Sequence, residues 1–290
     1  MMFDRWYVLD AQADQVCLSG GGKKVCMPSI AARDHTGEIF VGEQGLAYLY
    51  RPAQEFRFWN PFDRGRPGVE AGALIDDLLR ECGAFEGFMG PCVTVLLDRS
   101  ADEDLRMAWR TLLVSCGVRK VKFAFRLQAE GTAFLIETEY GGTEMGWFVN
   151  GSCSSPAHIL YGAQACDEGV RDMVGHRFRV LLHMEDARAL RMSASAALWK
   201  GKNPVLEVNG MNRYGEYERV RVRALDVWQS FRPVLEQIVL WTADVLDSVS
   251  LEGRTLLLQE GLCLRGSLND CFGLPQMLNE RTGFPVRREE

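Results

Sequence analysis

Residues 92–125 set out a strand, a helix and a second strand, and they constrain the fold more than any other part of the chain. Cys92-Val-Thr-Val-Leu-Leu97 reads as a buried strand, apolar but for Thr94. Ser100-Ala-Asp-Glu103 matches a capping box, in which a hydroxyl and a glutamate three residues later exchange hydrogen bonds with the backbone at a helix start. Leu105, Ala108, Trp109, Leu112 and Leu113 recur at helical spacing as one apolar stripe, and Gly117 ends the helix. Val121 to Phe125 is the returning strand. A buried strand, a helix and another strand in this order predict a parallel pair with a right-handed crossover, hence an α/β fold.

A second segment carries the chemistry. Thr132 to Trp147 reads as an apolar strand from Ala133 to Ile136, a turn around Gly141-Gly142-Thr143, and a second strand through Trp147 to Val149. Glycines in such a turn let backbone N–H groups approach phosphate oxygens closely. Two positions where small residues would be wanted hold Glu139 and Tyr140. The segment looks like a phosphate-binding hairpin with its chemistry partly removed.

The other elements follow from pattern. Short strands are expected at Trp6 to Leu9, Gln15 to Leu18, Lys24 to Met27 and Ile39 to Val41, with a hairpin turn at Ser19-Gly-Gly-Gly22. That turn resembles a P-loop only superficially, because Cys17 and Lys24 occupy positions that need glycine and Ser/Thr. Helices are expected at Val69 to Leu79, Gln164 to Val174, Glu185 to Lys200 and Leu225 to about Leu246, the last containing Pro233. Leu256 to Leu258 reads as a short strand running into Gly261, and Glu218 to Arg223 as an alternating strand with a solvated basic face.

Bulk properties exclude several classes. A net charge of −6 over 290 residues argues against a broad electrostatic grip on nucleic acid. Nine cysteines, an odd number without metal-ligand spacing, point to free thiols in a reducing cytosol and not to zinc. No apolar run approaches the roughly 20 residues that span a bilayer. The histidines His35, His158, His176 and His183 are scattered and adjoin no obvious nucleophile.

Taken in order, several segments resemble the bacterial actin-like rod-shape proteins, the MreB family. They are Met27-Pro-Ser-Ile-Ala-Ala32 with Gly37-Glu-Ile-Phe-Val-Gly42, Asp102 to Lys120, Cys166-Asp-Glu168, Asn209-Gly210 through Tyr214-Gly215, Leu264-Arg-Gly266 and Glu280-Arg-Thr-Gly-Phe-Pro-Val286. The resemblance implies an actin-like (ribonuclease H-like) bilobed α/β fold, with two related domains around a cleft. The first lobe would be residues 1–131 (subdomains IA and IB) and the second 132–290 (IIA and IIB), lacking the family's final helix.

Actin-type ATPases hold phosphates between two glycine-rich hairpins, each with an aspartate that organises Mg²⁺ and water. Here Asp10 matches the first aspartate, but Ala11 and Gln12 stand where Gly-Thr would follow. In the second hairpin Glu137 replaces the aspartate; Gly141, Thr143 and Glu144 fit, and Gly142 takes a threonine's place. The family's catalytic glutamate would fall where the chain reads Phe125-Arg-Leu-Gln128, the three-glycine adenosine motif where it reads Gln259-Glu-Gly261, and a Glu-x-x-Lys pair where it reads Arg188-Ala-Leu-Arg191. Glu139 and Glu260 have no positive partner evident in the sequence. These departures imply a non-hydrolysing pseudo-ATPase with no catalytic residues and no required cofactor; residual ATP and Mg²⁺ are left open by Asp10, Thr143 and Gly261.

The implied role is a cytoskeletal or scaffold subunit acting through contacts with itself or related actin-like subunits, in the cytoplasm and at the inner face of the membrane. Phe85, Phe88 and Met89 lie on a Gly-rich loop, and Phe88-Met89 match the hydrophobic dipeptide that the family inserts into the membrane; folding back onto the helix Val69 to Leu79 is the alternative. The aromatic group Phe56, Phe58, Trp59 and Phe62 is expected inside. Two other functional readings remain: an ATP-dependent filament involved in cell shape, and a sugar-kinase-like enzyme of the same superfold.

Overall fold

Strands and helices that each bury one apolar face build two compact units that meet in sequence at Arg126 and Leu127. The computed structural model describes residues 4–12, 14–49, 55–63, 65–86 and 89–289. Phe88 lies outside the described residues.

The first unit opens with β1 (Trp6–Ala11), β2 (Gln15–Gly20), β3 (Lys23–Pro28), β4 (Ala31–Asp34) and β5 (Ile39–Val41). Then come α1 (Gly42–Ala47), β6 (Phe56–Trp59), β7 (Phe62–Asp63), β8 (Arg66–Pro67) and α2 (Ala71–Glu81). It closes with β9 (Cys92–Leu97), α3 (Glu103–Ser115) and β10 (Lys120–Phe125). The main sheet has the order β10-β9-β1-β2-β3. β9 lies parallel to both β1 and β10, as the strand–helix–strand reading requires, and β2 is antiparallel to β1 and β3. Tyr7 and Leu9 of β1, Leu74, Ile75, Leu78 and Leu79 of α2, and Trp109 and Leu113 of α3 share one core.

The second unit begins with β11 (Ala133–Thr138), β12 (Thr143–Val149), β13 (Ser152–Cys153) and β14 (Ala157–Ile159). α4 (Ala163–Phe178), β15 (Val180–Leu181), α5 (Met184–Trp199), β16 (Val205–Asn212), β17 (Tyr217–Arg223) and α6 (Ala224–Asp247) follow. The unit ends with α7 (Leu251–Glu260), β18 (Leu262–Gly266), α8 (Leu274–Thr282) and β19 (Val286–Arg288). Its main sheet runs β13-β12-β11-β18-β19, with β11, β18 and β19 parallel. α4, α5 and α6 pack on one another and bury Val170, Val174, Leu190, Phe231, Leu235 and Ile238. In β17 only Val220 and Val222 are buried, so the arginines between them face solvent.

Four expectations are corrected. The cap of α3 is Asp102, which accepts from the Leu105 N–H at 2.7 Å; Ser100 is held in a turn by Asp98, to which its hydroxyl donates at 2.5 Å. Leu256 to Leu258 is helical, inside α7, because the Ser250 hydroxyl caps that helix at Gly253 and the chain turns into a strand only after Gly261. Two cysteines are not free: Cys17 and Cys26 face each other across β2 and β3 and form a disulfide. Of the aromatic group only Phe62 is fully buried; Phe56, Phe58 and Trp59 are half-buried, with Phe56 stacked on Tyr48 at 4.5 Å.

Candidate functional site

The two hairpins singled out by sequence lie in different units and are built on the same plan. In the first, Leu9 and Ala11 point into the core, so the strand pleat turns Asp10 to the opposite face. Arg126, immediately after β10, donates from Nε to Asp10 Oδ1 at 2.9 Å. Its Nη2 reaches the carbonyls of Ala11 and Leu96, each at 3.4 Å. The Gln12 amide donates to the other carboxylate oxygen, Asp10 Oδ2, at 3.2 Å. Both oxygens of the aspartate therefore have protein donors. Arg126 occupies the stretch where the resemblance would put a catalytic carboxylate.

In the second hairpin, β11 and β12 pair from Ala133–Phe148 to Thr138–Thr143, so the turn is residues 139–142. Glu137 lies directly beside Arg265 in the parallel β11–β18 ladder, and the Arg265 Nε donates to Glu137 Oε2. The turn closes on itself through the Glu139 N–H to the Gly142 carbonyl at 2.8 Å. Its outward carbonyls are also used. Glu139 O accepts from the Ala163 N–H at 3.1 Å, and Tyr140 O from the Gln164 N–H at 2.8 Å. These are the first amides of α4, the end of a helix that attracts an anion. The Thr143 hydroxyl donates to Tyr161 O at 2.7 Å. Gly162, the α4 N-cap, permits the approach: a Cβ there would lie 2.5 Å from both Glu139 O and Gly142 N. Backbone carbonyls of the turn thus take the first amides of α4, and the Glu139 N–H is spent inside the turn.

Tyr140, Arg188 and Arg191, which depart from the family pattern, meet Asp167 behind this turn. Tyr140 is buried and its ring lies under Arg188, 5.4 Å from the guanidinium. Arg191, one helical turn further along α5, donates from Nε to Asp167 Oδ1 at 2.5 Å. Burial pushes the Asp167 carboxyl above its ordinary value, against Arg191, Arg188 and Tyr140, which favour the charged form. Burial works against the Arg191 charge, and Asp167 more than offsets it, so its pKa is raised. Burial also drives up the neighbouring thiols, Cys166 well above its ordinary value and Cys271 to about 11.

Gly261 does separate work. It terminates α7 with its N–H on Leu257 O, and at φ 77° a Cβ would meet Pro285 O at 2.7 Å. Glu260 does have a positive partner, correcting the expectation: Arg287 approaches it to 3.8 Å. Gly141 is exposed at the tip of the second hairpin. On the loop after α2, Phe85 and Met89 are 40% and 38% exposed. Sequence reading met Arg126, Asp167, Arg191 and Arg265 only as members of motifs and missed their pairing with Asp10, with Glu137 and with each other.

Element order, the two hairpins and their sheets define an actin-like α/β fold. Among solved structures, the chain matches MreB5 of Spiroplasma citri bound to ADP with a TM-score of 0.87 at 12% identity, over 99% of this chain and 92% of that one. It matches the same protein bound to AMPPNP with a TM-score of 0.84 at 13% identity, over 99% and 92%. A MamK double helical filament gives 0.75 at 12% identity, over 99% and 94%. The likeness is one of fold, and it is the fold that the resemblance implied. No protein-family model matches the sequence, and no curated protein does.

Proposed function

We propose that this protein is an actin-like subunit that does not hydrolyse ATP and works by assembly, with itself or with related subunits, in the cytoplasm at the inner face of a membrane. The observation that carries the reading is the pairing of Asp10 with Arg126 and of Glu137 with Arg265. The acidic residue of each hairpin in an actin-type ATPase has to hold Mg²⁺ or its water, and a bound guanidinium opposes a divalent cation at the same oxygens. ATP and Mg²⁺ do not fit the residues present. The α4 amides are taken by Glu139 and Tyr140 carbonyls, and Arg126 stands where a carboxylate would have to orient water. Assembly draws support from the likeness to MamK, whose structure is a double helical filament. Membrane contact is supported by the exposed Phe85 and Met89, in a loop braced by the Arg5 guanidinium on Glu86 O at 2.6 Å.

Calorimetric titration with MgATP is expected to give no binding heat up to about 1 mM nucleotide, and a Kd near 10 µM or tighter would overturn the reading. Sedimentation without nucleotide is expected to show concentration-dependent pelleting. A chain that stays monomeric until ATP is added would restore the nucleotide-driven filament. Vesicle co-sedimentation should be lost in the Phe85→Ser/Met89→Ser variant, and unchanged binding would remove the loop from the proposal.

A further inference from the structure

Strand β3 is the outer strand of the five-stranded sheet: among the described residues β2 is its one ladder partner, while α1 and α2 pack against it and Met27 joins the core. Six ladder positions, from Gln15–Pro28 to Gly20–Lys23, set its register and put Cys17 opposite Cys26. The turn between the strands uses Gly21 and Gly22 at φ 59° and 80°, as a tight hairpin requires. The two cysteines are joined, with Cα atoms 4.1 Å apart. Cys26 is exposed, whereas Cys17 and the other seven cysteines are buried or half-buried. Burial also raises the thiol pKa values of Cys82, Cys116, Cys166, Cys263 and Cys271, which keeps them protonated and poorly reactive. Cys26 is the one exposed cysteine among the described residues, so a reductant from solution meets this pair first.

That pair adjoins the first hairpin. Cys17 is the ladder partner of Asp10 in β1 as well as of Cys26 in β3. Where β3 ends, Ser29 donates its N–H to Asp14 O at 2.9 Å and its hydroxyl to Gln12 O at 2.8 Å. Gln12 in turn donates to Asp10 at 3.2 Å. The end of β3 thus holds Gln12 and Asp14.

We infer that Cys17 and Cys26 form a reversible redox clip, closed by oxidation, that sets the order of β3 and of Gln12 and Asp14, which Ser29 holds beside Asp10. A thiolate of a dithiol reductant attacks the exposed Cys26 Sγ. The S–S bond breaks with its electron pair on Cys17 Sγ, which takes a proton. The reductant's second thiol then displaces Cys26 as a thiol and leaves as the reductant's own disulfide. Two electrons and two protons pass to the protein, and a disulfide oxidant reverses the step. Once reduced, β3 keeps its hydrogen bonds but loses its covalent tie, and an edge strand with one partner frays first.

The test uses the full chain in buffers of reduced and oxidised dithiothreitol. Alkylation with mass detection is expected to label Cys17 and Cys26 on reduction and neither on oxidation. Amide exchange at Lys23–Met27, Gln12 and Ser29 should quicken about tenfold on reduction, while β9 is unchanged. Cys26→Ser, at an exposed position, should exchange like the reduced protein in both buffers. Equal exchange of the wild-type chain in the two buffers overturns the inference, and so does alkylation of Cys17 and Cys26 in the oxidised buffer.

Discussion

Arg191 donates to Asp167 at 2.5 Å inside the second unit, where neither side chain is more than 4% exposed. Such a pair draws little net stability from its charges, because desolvation consumes most of the attraction, but removing one partner strands the other. Arg191→Ala is therefore expected to destabilise the protein by about 3–5 kcal/mol. Asp167→Leu combined with Arg191→Met should recover most of that loss. Denaturant unfolding of the full chain measures both, and a double variant as unstable as the single one would contradict this account.

Tyr140 and Arg188 belong to the same local arrangement, since the buried ring stacks on the guanidinium and the Tyr140 carbonyl caps α4. Restoring glycine at this position should therefore not restore a phosphate site. Tyr140→Gly is expected to cost about 3 kcal/mol through lost ring packing and the lost cation–π contact. MgATP titration of the variant should stay silent, because Arg265 still holds Glu137. Binding gained by this single change would show that Tyr140 alone had closed the site.

How much was legible in the sequence depended on the range of the interaction. β9, α3 and β10 could be read because strand periodicity, an apolar helical stripe and a terminating glycine are local signals, although the cap of α3 is Asp102 and not Ser100. Leu256 to Leu258 could not, since a short apolar run fits a strand or a buried helix face equally, and Ser250 at the cap decided it. Glu139 and Tyr140 stood out as wrong for a phosphate turn, yet their actual partners on α4 are set by how the turn meets that helix. The arginines that neutralise Asp10 and Glu137 lie 116 and 128 residues away, beyond any spacing rule. The Cys17–Cys26 link needed the β2–β3 register, which an odd cysteine count conceals.

Glu207 provides a pH-dependent readout on the β16–β17 hairpin. It lies opposite Arg221, which donates to it from Nε at 2.8 Å and Nη2 at 2.7 Å. The Arg221 hydrogen bonds, helped by its charge and that of Arg219, hold the carboxyl below its ordinary value of 4.5. A depressed carboxylate adds stability that is fully present above the unfolded value and is lost as pH falls through the folded one. Exchange protection of the hairpin should thus decline in acid below 4.5. In Arg221→Met the Glu207 titration, followed by carboxyl NMR, should move up towards the ordinary value and this acid-linked decline should shrink. An unmoved titration midpoint would show that Arg221 does not hold the charge.

Gly162 tests whether the turn at 139–142 really seals the start of α4. A methyl group there would lie 2.5 Å from Glu139 O, 2.5 Å from Gly142 N and 2.7 Å from Tyr140 O, all backbone atoms that no rotamer change can move aside. Its φ of −139° is accessible to alanine, so the cost is steric and not conformational. Gly162→Ala must push the turn away from the Ala163 and Gln164 amides, for a loss of about 3 kcal/mol or more. Gly131→Ala is the matched control, because nothing lies within 4 Å of its Cβ position, and it should be neutral. Thermal unfolding compares the two. Amide exchange at Ala163 and Gln164 then separates displacement of the turn from general loosening, since displacement exposes those two N–H groups while the middle of α4 stays protected. Uniform exchange along α4 would show that the turn is not what satisfies the helix start.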